Sequence, residues 1–238
     1  MIIIPARVGS SRFPRKVLEP INGEPMVIKT AKVALGVDNT VIATDSRDVI
    51  EIAKDYNIRA VLTSLTHKSG TDRVYEAVRK LDLDNSEPIV NLQADEPFIE
   101  EEVIRSVLDL TKKSILRDDI LINSCYKEID EIEADNPNIV KVVTDSSDIA
   151  LYFSRSKIPF IRDRADISYK AHIGVYGFTK RSLEIFCNLS YAPIEDIEKL
   201  EQLRALHFGY KIAMVGVETQ SFGIDTREDL KRALEIFT

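Results

Sequence analysis

The stretch Pro5-Ala6-Arg7-Val8-Gly9-Ser10-Ser11-Arg12-Phe13-Pro14-Arg15-Lys16 sets four cations in one short loop, directly after the apolar run Ile2-Ile3-Ile4. Arg7, Arg12, Arg15 and Lys16 repel one another unless an anion sits among them, and a guanidinium fork matches phosphate oxygens two at a time. A triphosphate suits such a loop. A solvated basic turn is the alternative, since charge runs are often only surface. Neither GxxxxGK[ST] nor GxGxxG is present, which disfavours P-loop kinases and dinucleotide oxidoreductases.

Carboxylates supply the second kind of chemistry. In Asn91-Leu92-Gln93-Ala94-Asp95-Glu96-Pro97, Asp95 is a candidate Mg2+ ligand, because Mg2+ takes one or two protein carboxylates and completes its shell with substrate phosphates and water. Glu96 reads as a capping or solvent-facing residue. In Gly223-Ile224-Asp225-Thr226-Arg227-Glu228-Asp229-Leu230, Asp225 is a second carboxylate candidate, but on residue type it reads first as a helix N-cap. The segment His67-Lys68-Ser69-Gly70-Thr71-Asp72-Arg73 leads into a helical pattern. Ser69, Gly70 and Thr71 there either present N–H and hydroxyl groups to an anion or nucleobase, or simply cap a loop. His172 and Tyr176 share one face of a strand-like stretch, where a lone histidine is more often structural. Cys125 and Cys187 lie in apolar runs without metal or redox spacing and read as buried small hydrophobes.

The elements that must position these groups alternate through the first half. Apolar or amphipathic runs fall at 2–5, 26–35, 40–44, 49–56, 60–62, 74–81, 89–92 and 103–110. Short apolar runs without alternation suit strands covered on both faces, and strand-helix repetition implies a parallel, doubly wound α/β sheet with ligands at the strands' carboxyl ends. From about residue 119 consecutive strand-like stretches at 120–126, 139–144, 150–153 and 173–178 suggest antiparallel additions and a smaller second lobe. The polar interval 162–170 reads as a loop, helix returns at 194–208 and 228–237, and a strand at 211–217 separates them. The chain has no repeats and no flexible linker, so it reads as one cooperative unit.

At 238 residues with 44% hydrophobic and 30% charged residues, the chain can bury a sizeable core without disulfide or metal staples. A net charge of −7 argues against a broad nucleic-acid-binding face, so any polyanion must be held locally. The opening residues lack a basic segment and long apolar core, and no apolar stretch approaches the roughly 20 residues that cross a bilayer. The expectation is a cytoplasmic protein without a membrane partner.

Taken together, and in this order along the chain, the PARxxS[ST]R[LF]PxK opening, HxSGT[DE]R, QxDEP, SRxxIP at 154–159, HIGxY, EKLEQLR at 198–204 and G[IV]DTxEDL resemble the 3-deoxy-manno-octulosonate (Kdo) cytidylyltransferase, or CMP-Kdo synthetase, family from Met1 to the final helix. The resemblance implies transfer of CMP from CTP to the C2 hydroxyl of Kdo with release of pyrophosphate, activating the sugar for lipopolysaccharide synthesis. It implies a nucleotide-binding set of Pro5, Ala6, Arg7, Ser10, Arg12, Lys16, Ser69, Gly70, Thr71, Arg73 and Gln93. Arg7, Lys16, Asp95 and Asp225 become the catalytic residues, with Asp95 and Asp225 carrying Mg2+, which lifts Asp225 from cap to ligand. Arg155, His172, Tyr176, Glu201 and Gln202 are implied to hold the acid sugar. Residues 1–118 then form the nucleotide part, 119–222 the sugar and dimerisation lobe, and 223–238 a metal-site turn and helix returning to the core.

A homodimer is expected on 194–208, whose Ile194, Ile197, Leu200, Leu203, Leu206 and Phe208 exceed one apolar stripe, with burial beneath the second lobe as the alternative. Glu201 and Gln202 share that helix, so dimer and sugar site are expected to fail together. Three departures stand out: Ala94 where the family usually has Gly, Arg15 at a position often small or polar, and a short 162–170 loop. Rival readings are transfer to the 8-amino analogue of Kdo or to a nonulosonate, and a non-catalytic CTP-binding sensor.

Overall fold

The computed structural model describes residues 1–9, 13–163 and 168–237. In chain order the strands are β1 (Ile2–Ala6), β2 (Pro20–Ile21), β3 (Glu24–Pro25), β4 (Thr40–Thr44), β5 (Arg59–Leu62), β6 (Pro88–Asn91), β7 (Ile120–Ile129), β8 (Lys141–Thr144), β9 (Ala150–Ser154), β10 (Tyr169–Thr179) and β11 (Lys211–Gly216). The helices are α1 (Met26–Leu35), α2 (Arg47–Asp55), α3 (Gly70–Leu81), α4 (Glu101–Ser114), α5 (Glu131–Ala134), α6 (Lys180–Asn188), α7 (Pro193–Glu198), α8 (Leu203–His207) and α9 (Arg227–Phe237).

Among the described residues one sheet runs in the order β11-β7-β10-β6-β1-β4-β5, with β8 and β9 branching from β10. β6, β1, β4 and β5 are mutually parallel. Every residue of β1 and β4 is buried, as expected of apolar strands covered on both faces. β10 runs antiparallel to both β6 and β7, so the antiparallel additions join the same sheet rather than a separate one. One apolar cluster draws Ile3, Ala43 and Val74 together with Phe153, Phe178 and Met214, and so spans both parts of the chain.

Two features bring distant segments to the carboxyl edge of β1 and β6. A separate cluster packs Ile224, Leu230 and Ala233 against Phe13, Ile21 and Met26, which returns α9 to the opening loop. β10 has a register shift between Ile173 and Tyr176, the kind of bulge that re-aims side chains beside a site.

The structure corrects two expectations. The span 194–208 is not one helix: α7 ends at Glu198, Lys199 takes a left-handed φ of 54°, and α8 starts only at Leu203. The break lets Glu198 turn to Ser154 and the Arg155 amide, while Glu195 remains behind to pair with Arg204. The interval read as a loop to residue 170 already carries β10 from Tyr169. Helix α6 has no counterpart in the sequence pattern, because Thr179 both ends β10 and caps α6 through reciprocal bonds with Ser182, leaving no turn residue to announce it. No helix among the described residues is long and apolar enough to cross a membrane.

Candidate active site

Lys16 lies at the centre of the site. A short 3-10 turn, Lys16–Leu18, carries it inward until only 9% is exposed, and its Nζ donates to Asp95 Oδ2 at 2.6 Å and to Asp225 Oδ1 at 3.0 Å. Burial works against the ammonium, but Asp95 and then Asp225 outweigh it, so Lys16 holds its proton more tightly than an ordinary lysine.

Each carboxylate is placed by its backbone. Asp95 follows β6, where Thr30 of α1 donates its hydroxyl to the Ala94 carbonyl at 3.1 Å and the Ile224 amide donates to the Asp95 carbonyl at 2.9 Å. Ala94 is buried and does not adopt a positive φ, so its Cβ costs the turn no strain. Asp225 is not the helix cap. Thr226 Oγ1 takes the Asp229 amide at 3.1 Å, while Asp229 accepts the Thr226 and Asp225 amides, which leaves the Asp225 carboxylate turned to Lys16.

The cleft around these groups is lined by Pro5, Arg7, Ser69, Gly70, Gln93 and Arg73, and also by Val17, His67 and Lys68. Arg7 is exposed, and Ala6 beneath it is buried in β1. Gly70 opens α3, where a Cβ would stand 3.3 Å from Pro5 Cγ and 3.5 Å from Gln93 Oε1; the missing side chain lets the helix start approach β1. Ser69 caps α3 by accepting the Asp72 amide at 3.1 Å. The first-turn N–H groups and the helix dipole thus face a cleft rich in cations, a setting that favours an anion. Ser10 and Arg12 lie outside the described residues.

Several residues behave differently from their expected roles. Arg73 is 3% exposed and committed to protein, donating to Thr63 Oγ1 at 2.6 Å and Asp45 Oδ2 at 2.8 Å, so it shapes the cleft wall. The Thr71 hydroxyl bonds to Glu201 rather than facing the cleft. Arg15 takes a left-handed φ of 57° and pairs with Asp48 on the exposed surface at 3.0 Å. Glu96 is neither cap nor solvent residue: it is 7% exposed, burial and then the Asp95 charge push its carboxyl up to about 8, and Gly223 leaves it room. His67, part of the HxSGT motif but given no role there, lines the cleft against Glu76. Glu76 also accepts the Ser64 amide at 2.8 Å and pairs with Lys80; against the opposing effect of burial, these contacts hold its carboxyl down to about 2.

Beside the cleft a second group forms on β10 and the turn after α7. Tyr176 Oη donates to Gln202 Oε1 at 3.3 Å, and the His172 ring lies 5.4 Å from the Tyr176 ring and hydrogen-bonds Ser124 Oγ at 2.9 Å. Burial drives His172 down to about 3 and raises Tyr176, so both are neutral at physiological pH. Glu201 adjoins Gln202 and bonds Thr71 Oγ1 at 2.6 Å. Arg155 is not brought to this group: its guanidinium donates to the Glu198 carbonyl at 2.8 Å and the Pro137 carbonyl at 3.1 Å.

Among the described residues no cluster of three or more His, Cys, Asp or Glu could hold a metal. Asp95 and Asp225 form a two-carboxylate set converging on one cation, and hard oxygen donors of that number fit a Mg2+ that completes its shell with phosphates and water.

The pattern of the family described as Cytidylyltransferase matches residues 1–212. A 3-deoxy-manno-octulosonate cytidylyltransferase of a Nitratiruptor species is 59% identical over 98% of this chain and 97% of its own. One of Wolinella succinogenes is 52% identical over 100% of this chain and 99% of its own. A solved structure of CMP:2-keto-3-deoxy-manno-octonic acid synthetase complexed with CTP superposes with a TM-score of 0.91 at 34% identity, covering 99% of this chain and 96% of that one. Full-length identity at this level, on a fold that brings Lys16, Asp95 and Asp225 together, places the chain in the 3-deoxy-manno-octulosonate cytidylyltransferase family.

Proposed function

We propose that the protein transfers CMP from CTP to the C2 hydroxyl of Kdo. The hydroxyl oxygen bonds to the α-phosphorus, the α–β phosphoanhydride bond breaks, pyrophosphate leaves with the bonding pair, and the hydroxyl proton passes to water. No covalent enzyme intermediate is needed. The observation that carries the reading is the convergence of Asp95 and Asp225 on the Lys16 ammonium at the floor of a cationic cleft.

In this reading Arg7 and Lys16 draw the triphosphate in, and Ser69 and Gly70 at the start of α3 seat the nucleotide with Gln93. Asp95 and Asp225 hold Mg2+, which when bound neutralises charge on the transferring and leaving phosphates. Glu201, Gln202, His172 and Tyr176 hold the sugar, with neutral His172 and Tyr176 offering hydrogen bonds to hydroxyls. Catalysis is then mainly positioning and electrostatics. The relatives' names favour Kdo over its 8-amino analogue or a nonulosonate.

The reaction belongs in the cytoplasm, upstream of lipopolysaccharide assembly. A homodimer is also proposed. Of the apolar residues expected on its face, Leu200 and Leu203 are buried in the chain's own core, while Ile197 of α7 and Phe208 just after α8 stay exposed by 81% and 42%, with Tyr191 before α7 exposed by 61%. Because Lys199 ends α7 before Glu201, this surface and the sugar group no longer share one helix.

Pyrophosphate release from CTP against a panel of acid sugars tests the function. Turnover with Kdo well above the other sugars supports it, and no release with any of them overturns it. Sedimentation at micromolar concentration tests the dimer, and a single species at 26.9 kDa would refute it.

A further inference from the structure

A buried hydrogen-bond chain joins the two substrate sides. Gln93, which lines the nucleotide cleft, donates its Nε2 to Asn91 Oδ1 at 3.1 Å. Asn91 is fully buried and donates Nδ2 to Thr71 Oγ1 at 3.4 Å. Thr71, 4% exposed, donates that hydroxyl to Glu201 Oε2 at 2.6 Å. The chain ends beside Gln202, which receives Tyr176 Oη.

Two further observations set Thr71 apart. It is the second residue of α3, whose cap Ser69 and first residue Gly70 line the cleft, so its position moves with the part of the helix facing the nucleotide. The carboxylate it holds is incompletely satisfied. The Ser69 hydroxyl also favours the Glu201 carboxylate, but Glu201 Oε1 is shielded from solvent and accepts no hydrogen bond, and Arg204 stands 3.8 Å away because its guanidinium is already clamped to Glu195 at 2.5 and 2.9 Å. A shielded carboxylate oxygen without a donor is costly unless a ligand supplies one.

We propose that Thr71 is a positioning residue for the sugar side: through its hydroxyl, the nucleotide-bearing start of α3 aims the Glu201 carboxylate, so that a seated nucleotide prepares the sugar site. This inference rests on the proposed CMP transfer to Kdo and deepens it. Thr71 acts without touching the nucleotide. Gln93, Asn91 and Thr71 form one buried hydrogen-bonded path to Glu201, so ordering at one end lowers the cost of ordering the carboxylate at the other. By linkage, the sugar side favours nucleotide retention to the same extent.

The experiment compares wild type, Thr71→Val and Thr71→Ser, with Thr71→Ala as a second deletion in case valine disturbs folding, each checked by thermal melting. Pyrophosphate release provides the Kdo KM and kcat, and calorimetry with CTP and no sugar provides the nucleotide Kd. Thr71→Val and Thr71→Ala are expected to raise the Kdo KM about tenfold, within the usual range of coupling between sites, and to leave the CTP Kd within about twofold. Thr71→Ser, which keeps the hydroxyl, restores the wild-type KM. An unchanged Kdo KM in the folded valine or alanine variant overturns the inference. So does a CTP Kd that rises as much as the Kdo KM, which would make Thr71 a nucleotide ligand. Wild-type enzyme that releases no pyrophosphate with Kdo overturns the proposed reaction, and the inference falls with it.

Discussion

On the side proposed for the nucleotide, the groups are charged, sit in loops beyond parallel strands, and are held largely by one another: Lys16 lies between Asp95 and Asp225 while Arg7 is exposed. On the other side they are mostly neutral, sit on the antiparallel strand β10 and a turn, and are held by a hydrogen-bond network through Ser124, Gln202 and Thr71. A triphosphate with its metal brings charge that can complete the first arrangement. A sugar brings hydroxyls and one carboxylate, which reward donors and acceptors already in place. The first side should therefore respond to loss of charge, and the second to loss of geometry.

The sharpest way to break that contrast is to remove charge from the carboxylate pair. Asp95→Asn and Asp225→Asn should each lower kcat by about 100-fold or more, as expected when several kcal/mol of transition-state charge stabilisation is lost, with the fold intact. Chelation should abolish pyrophosphate release and added Mg2+ restore it. Near-wild-type turnover of either variant at saturating Mg2+ would remove the metal assignment.

Next in size, Lys16→Ala and Arg7→Ala should raise the CTP KM by about tenfold to 100-fold, as for loss of a charge-assisted phosphate contact, while the Kdo KM changes less. A change confined to melting temperature would make the loop structural. Lys16→Ala also leaves Asp95 and Asp225 facing each other without their cation, so its melting temperature in the absence of metal should fall, and Mg2+ should recover part of it.

The neutral side is probed by pH. Buried His172 titrates at about 3 in the folded protein, whereas an unfolded histidine titrates near its ordinary 6.5. Between those values the unfolded chain takes up a proton that the native state refuses. Stability from this residue is therefore full above about 6.5 and falls as pH drops, by at most about 1.4 kcal/mol per pH unit. Urea unfolding of wild type and His172→Asn at pH 7.5 and pH 5.5 should show a smaller loss in the variant. Equal losses would mean that His172 is charged when folded.

The smallest effect is expected at Arg15. Its pair with Asp48 is more than 60% exposed at both ends, so Arg15→Ala should change stability by less than about 1 kcal/mol and leave the CTP KM unaltered. A tenfold rise in that KM would place Arg15 among the phosphate contacts.

The sequence is most informative where function depends on local pattern. The first-half strands β1, β4 and β6 are legible because they are short apolar runs, and the cationic loop after β1 stands out as a candidate anion site on residue type. The break within 194–208 is not legible, because the apolar spacing continues through Lys199, whose left-handed backbone is decided by what Glu198 and Arg204 find in space. Nor is the burial of Glu96, since a charged residue beside a turn is ordinarily solvated, whereas here it is enclosed with Gly223 packed close against its carboxylate.

The sequence by itself determined the element types of the alternating half, the candidate chemistry of Arg7, Lys16 and Asp95, and, through the order of its motifs, the family. Hydrophobic period and residue type are local properties, and they survive without coordinates. The motif order already paired Asp225 with Asp95, but the tertiary structure alone decided that Asp225, 209 residues from Lys16, meets the Lys16 ammonium while Thr226 caps the helix. It also decided that Thr71 turns from the nucleotide to Glu201, 130 residues away. Such contacts are set when separate elements pack against a common core, and no spacing along the chain encodes them.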